Sequence, residues 1–131
     1  MSDLNEFIKN SPCVVKQGKY AYLQGSEQQI KNHFLICKDA DETTIITKEK
    51  NISGTPHEKD VKWFKLIEFK TSVPFKGVGF IAKISETIAS AGLNILVVST
   101  FSKDYILVHE EELDTALKAL EKIGFIIEIE K

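Results

Sequence analysis

The feature that most restricts this chain's fold is the switching of its hydrophobic period between 2 and 3.6 across residues 63–130, with turn residues at each change. Trp63, Lys65, Ile67 and Phe69 alternate with Phe64, Leu66 and Glu68, a mostly apolar pattern suited to a central strand. The stretch Ser72-Val73-Pro74-Phe75-Lys76-Gly77 breaks that strand. From Val78 the apolar positions Val78, Ile81, Ile84, Ile88 and Ala91 recur at helical spacing, with Lys83, Glu86 and Ser90 turned outward. Gly92 closes this helix as a left-handed glycine would. The β-rich runs Asn94 to Ser99 and Tyr105 to Val108, separated by Thr100 to Asp104, predict a hairpin. A second helix follows: Glu110, Glu111 and Glu112 suit its positive start, Leu113, Ala116, Leu117 and Leu120 form its apolar stripe, and Lys118 and Lys122 suit its end. Gly124 ends it, and Phe125 to Glu130 reads as a last strand. The order predicts an α+β fold of the split βαβ, ferredoxin-like kind, βαββαβ. Two helices then cover one face of a four-stranded antiparallel sheet, and the other face must meet water or a partner.

The N-terminal half is less regular. Leu4, Phe7 and Ile8 suggest a short helix, and Cys13-Val14-Val15, Tyr20 to Leu23, Phe34 to Cys37 and Thr43 to Ile46 are short strand candidates. Lys48 to Lys62, with Gly54, Pro56 and many charges, reads as a linker. The expected division is a shorter subdomain over residues 1–60 and a βαββαβ domain over residues 61–131.

At 131 residues the chain can bury an adequate core without disulfides. Cys13 and Cys37 both lie in apolar runs, where a reduced thiol serves as a small hydrophobe. No apolar N-terminal segment or membrane-length run occurs, so a cytoplasmic protein without a membrane partner is expected. Seventeen basic and 19 acidic residues, spread along the chain for a net charge of −2, argue against nucleic acid as a partner. Every basic residue is Lys, so an anion site must rely on backbone N–H groups, Lys or hydroxyls. Phosphatase chemistry that needs Arg is disfavoured.

Residues 74–79 place Gly77 and Gly79, with Val78 between them, where a strand turns into a helix. Glycine lets a ligand approach the backbone, and a helix N-terminus presents unpaired N–H groups with partial positive charge, so a carboxylate could dock there. The same glycines equally serve a tight turn. Asn94, just after Gly92, is expected near that helix N-terminus, and Asp104 supplies a carboxylate at the hairpin for a cationic group. Asn and Asp are also ordinary turn residues.

The runs Gly77-Val78-Gly79-Phe80-Ile81-Ala82 and Ile88 to Ile95 resemble the loop, first helix and second strand of ACT domains, which bind amino acids at domain interfaces in metabolic enzymes. Val98 to Val108 resembles the Ser-Thr-aromatic-x-x-Asp-aromatic-x-Leu-Val segment of the ACT repeats in CASTOR-type amino-acid sensors and related small tandem-ACT proteins. More loosely, Pro12, Gly18 to Tyr22 and Asp41 to Ile46 resemble a degenerate first repeat. The resemblance implies two ACT-like units and a homodimer. By the same resemblance Asn94 and Ile95 contact the ligand's backbone atoms and Asp104 faces its cationic part. Asn94 departs from the small Ser that some of those repeats carry. The ligand site expected is therefore Gly77, Val78, Gly79, Asn94, Ile95 and Asp104, taking an amino acid in a regulatory, non-enzymatic module.

Other classes fare less well. His33, His57 and His109 are too scattered for a metal site, and no cofactor motif is found. Ser99-Thr100 lacks a neighbouring base for nucleophilic catalysis. An RNA-binding use of the same fold would need a basic-Gly-aromatic signature where Tyr105 to Val108 stand. A scaffold that dimerises after losing its ligand site is the remaining alternative.

Overall fold

A computed structural model describes residues 4–25, 30–52, 59–70 and 78–131. Its longest strand, β5 (Lys59–Phe69), begins before the expected Trp63, inside the stretch read as linker. Contacts divide the chain into two compact units: residues 1–17 with 66–131, and residues 18–65. This division differs from the expected cut near residue 60, and the reason is the pairing of the first strand.

In the first unit, α1 (Leu4–Ile8) leads into β1 (Pro12–Val15). After β5 come α2 (Phe80–Ser90), β6 (Leu96–Ser99), β7 (Asp104–His109), α3 (Leu113–Lys122) and β8 (Ile126–Ile129). Strand β7 pairs with both β5 and β6, as the split βαβ arrangement requires. β8 does not neighbour β5. Strand β1 lies between them, antiparallel to β5 through Cys13↔Phe69 and Val15↔Ile67, and parallel to β8 through Cys13↔Ile127 and Val15↔Ile129. The expected four-stranded antiparallel sheet is thus a five-stranded mixed one, and the N-terminal segment belongs with the C-terminal half.

The helices bury part of the stripe that their spacing predicts. Ile84 and Ile88 of α2, joined by Phe80 from outside the expected positions, and Ala116 and Leu120 of α3 form one cluster with Cys13, Ile67, Phe69, Ile106 and Val108 of the sheet. Ile81 and Ala91 are only partly buried, and Val78 lies ahead of α2 at 84% exposure. Both helices end in the paired-bond motif of a left-handed C′ residue: Leu93 N–H donates to Ile88 O and Gly92 N–H to Ala89 O, and Phe125 N–H donates to Leu120 O and Gly124 N–H to Glu121 O. At Gly124 the need for glycine is steric as well as conformational, since φ is +121° and a Cβ would stand 3.2 Å from the Lys9 Cα. On the opposite sheet face, expected to meet water or a partner, Val14, Leu66, Tyr105 and Leu107 are also buried.

The second unit pairs β2 (Tyr20–Gln24), β3 (Leu35–Lys38), β4 (Thr43–Lys48) and the first part of β5 in the order β3-β4-β2-β5, all antiparallel. Among its described residues there is no α-helix, only a single tight turn at Glu49–Asn51. Its core comprises Ala21, Leu23, Ile30, Ile45 and Ile52, with Ile36 and Trp63 packed against them. Cys37 departs from the expectation of a core thiol. It is exposed, whereas Cys13 is fully buried and burial pushes its pKa up to about 12. A thiol-alkylating reagent should therefore modify Cys37 rapidly and Cys13 only upon unfolding; equal rates in the native protein would contradict the burial of β1.

Just past β1, Lys16 Nζ lies 2.8 Å from Glu130 Oε2 and 3.3 Å from Glu68 Oε1, and Gln17 N–H donates to Glu130 Oε1 at 2.7 Å. The Glu68 side chain is only 6% exposed, and that ammonium is its ion-pair partner. The hydrogen bond to Glu130 raises the Lys16 pKa above its ordinary 10.5 against an opposing effect of burial, and Glu68 adds to the rise. Because the folded-state pKa exceeds the unfolded one, this contribution is complete below about pH 10.5 and is lost as pH rises through the folded value. Lys16→Met should lower stability by about 2 kcal/mol at neutral pH, read by urea unfolding. The variant should also lose less stability than the parent on going to strongly alkaline solution. Identical curves for the two proteins would refute the pairing.

Candidate functional site

The turn into α2 is built around Gly79, whose φ of +91° makes it the N-cap in a conformation that L residues adopt only at a cost. Its carbonyl accepts from Lys83 N–H at 2.9 Å and starts the helix. No side chain caps this end and no acidic residue occupies the first turn. The first N–H groups of α2 are thus left without intrahelical acceptors, and no acidic side chain of the first turn offsets their partial positive charge. Val78 and Gly79 are both exposed, while Gly77 lies outside the described residues.

The hairpin provides the opposite charge. Ser99, last in β6, pairs with Asp104, first in β7, and Thr100 N–H donates to Lys103 O at 2.8 Å to close the turn. Asp104 is therefore a strand residue rather than part of the connecting loop. Ser99 Oγ donates to Asp104 Oδ1 at 2.6 Å, which fixes the carboxylate and leaves Oδ2 without a hydrogen bond from the described residues. This use of Ser99 was not legible in the sequence. Its only signal is that the two residues flank a four-residue turn and so face each other.

Asn94 stands elsewhere. It follows the C-cap Ala91 by three residues, so the 11-residue length of α2, about 16 Å, separates it from Gly79. The expectation that Asn94 sits near the helix N-terminus is corrected by this: α2 carries the chain back along the sheet before β6 begins. Strand β6 then returns, so the hairpin turn with Ser99 and Asp104 comes to the end that holds Gly79. Asn94 is exposed at the far end, and Ile95 beside it packs against the helix-side core. Within one unit the expected residues thus fall into two groups: Val78, Gly79 and Asp104 at one end, Asn94 and Ile95 at the other.

A groove of about 480 Å³ between α2 and α3, lined in part by Lys83, Thr87, Thr115 and Lys118, contains none of these residues. Among the described residues no cluster of His, Cys, Asp or Glu could hold a metal ion, and no helix is long and apolar enough to cross a membrane. The hairpin tip carries Phe101 at 96% exposure.

Gly79→Ala isolates the backbone requirement. An added Cβ would meet only Leu4 Cδ2 at 3.7 Å, an ordinary contact, so the cost is conformational and should be about 1 kcal/mol in thermal unfolding. A stabilised variant would contradict the left-handed N-cap.

Residues 64–122 match the family model described as ACT domain. No curated protein matches the chain in sequence. Among solved structures, a protein from Agobacterium tumefaciens superposes with a TM-score of 0.78 at 20% identity, covering 93% of this chain and 95% of that one. A protein of unknown function from Vibrio cholerae, possibly a transport protein by its description, gives 0.78 at 17% identity, covering 92% and 95%. The ligand-free regulatory subunit of aspartate kinase from Thermus thermophilus gives 0.61 at 12% identity, covering 88% and 98%. At such identities the likeness is one of fold. The ACT-domain match spans a little under half of the chain, and the chain has an α+β, ferredoxin-like fold like that of the aspartate kinase regulatory subunit.

Proposed function

We propose that this chain is a non-enzymatic regulatory module that binds an amino acid where the ACT units of two copies meet. The observation that supports it is the charge arrangement at one end of the unit: uncapped N–H groups at the acid-free start of α2, and the Asp104 carboxylate held by Ser99. An amino acid is a zwitterion. Its carboxylate suits the N–H groups and its ammonium, or a cationic side chain, suits Asp104. Val78 and Gly79 form the backbone wall of this reading.

Asn94 and Ile95 enter from the second copy. A free amino acid cannot bridge the length of α2, so a site containing both groups needs a homodimer that sets the Asn94 end of one unit against the Gly79 end of the other. Such a ligand binds the joined state and not the separated one, which makes it a regulator by linkage. The Thermus thermophilus structure is itself a regulatory subunit, and the sequence resemblance to CASTOR-type sensor repeats points the same way.

The test is a thermal-shift screen against the twenty amino acids. Ligand at about 100 times its Kd should stabilise the protein by about 2.7 kcal/mol. Asp104→Ala should weaken that binding by about tenfold or more, the loss expected of a hydrogen bond to a charged group. No shift with any amino acid would reduce the protein to a dimerisation scaffold, and an unchanged shift in the variant would remove Asp104 from the site.

A further inference from the structure

The unit of residues 18–65 contains a cavity of about 370 Å³ that takes no part in the site above, within the size range of small-ligand pockets. Tyr20 comes to it from β2, His33 and Phe34 from the segment entering β3, Lys48 from the end of β4, and Lys50 and Asn51 from the turn that follows.

One wall is held by a closed hydrogen-bond network. The Asn32 carbonyl accepts from Thr47 Oγ1 and from Asn51 Nδ2, each at 3.1 Å, and Asn51 Nδ2 also donates to Thr47 Oγ1 at 2.9 Å. Thr47 is fully buried, and Asn32 adopts a φ of +58°, a conformation most L residues avoid. Both amide hydrogens of Asn51 are thereby engaged, which leaves its Oδ1 as an acceptor. The floor is aromatic, with Tyr20 and Phe34 edge to face at 6.2 Å between centroids.

The charge that the described residues bring to this cavity has one sign. Lys48 and Lys50 line it beside His33, and among the described residues no carboxylate does. Glu49, between the two lysines in sequence, is the residue that approaches Lys19, at 4.0 Å. Among the described residues neither Lys48 nor Lys50 forms an ion pair. Two ammonium groups beside an aromatic floor and a fixed acceptor define a complementary ligand.

We propose that this cavity binds a small anion bearing a planar ring, its phosphate or carboxylate held by Lys48 and Lys50, its ring on Phe34, and an N–H or O–H of the ligand donating to Asn51 Oδ1. A nucleoside monophosphate and an aromatic carboxylate share this chemistry. The site is separate from the amino-acid site, so either can fail without the other.

The full chain, isotopically labelled, is titrated by NMR with adenosine monophosphate, with 4-aminobenzoate and with inorganic phosphate. Saturable shifts at His33, Phe34 and residues 48–51 are expected with at least one ring-bearing probe, about tenfold tighter than with inorganic phosphate. The preferred probe tells phosphate from carboxylate. The Lys48→Met and Lys50→Met double variant should weaken binding by about tenfold or more while the other amide signals stay in place, because neither lysine is buried. The proposal is overturned if no probe saturates, if inorganic phosphate binds as tightly as both ring-bearing probes, or if a folded double variant binds as the parent does.

Discussion

The first strand is hydrogen-bonded on both sides, and most of this structure depends on that constraint. Pro12–Val15 is antiparallel to β5 on one side and parallel to β8 on the other, so a segment from the start of the chain completes the sheet formed by its end. A strand in that position must be apolar on both faces, and Cys13, Val14 and Val15 are all buried. The cluster of Lys16, Glu68 and Glu130 then ties three strands together where the apolar run stops. Glu68 is tolerated in the buried part of β5 because the Lys16 ammonium, itself held by Glu130, accompanies it, an arrangement in which a partner's removal costs more than the pair contributes.

With that sheet in place, the two helices have one face to cover and a fixed direction in which to run. α2 must return the chain along the sheet, and this is why its positive end and the β6–β7 hairpin share one end of the unit while Asn94 is carried to the other. The functional reading follows from this separation. Residues that resemble one binding motif in sequence stand too far apart to serve one ligand within one unit, and in the proposed reading the pairing of two copies brings both halves to one site.

Much of the fold was legible because local signals and tertiary packing agree. The stripe of Ile84 and Ile88, the closing glycines Gly92 and Gly124, and the hairpin around residues 100–103 all follow from periodicity and turn chemistry. What was not legible is non-local. The insertion of β1 between β5 and β8 leaves no mark in its own four residues, since an apolar strand fits a centre position in either unit. The start of β5 at Lys59 was hidden by charges that suit a linker as well as a strand, and exposed Cys37 by an apolar neighbourhood that packs from one side only. For the proposed site, residue type and position singled out Gly79 and Asp104, whereas the distance between Gly79 and Asn94 depends on the direction of α2, which periodicity alone does not report.

The claim that two copies share one ligand is tested most directly by mixing two defective variants. Asp104→Ala and Asn94→Ala should each bind the stabilising amino acid poorly alone, since each lacks one half of every site. Mixed in equal amounts and allowed to exchange subunits, they should recover about a quarter of the parent's sites by calorimetry, because half of the dimers are mixed and each of these holds one intact site. A mixture that binds no better than its components would contradict the account.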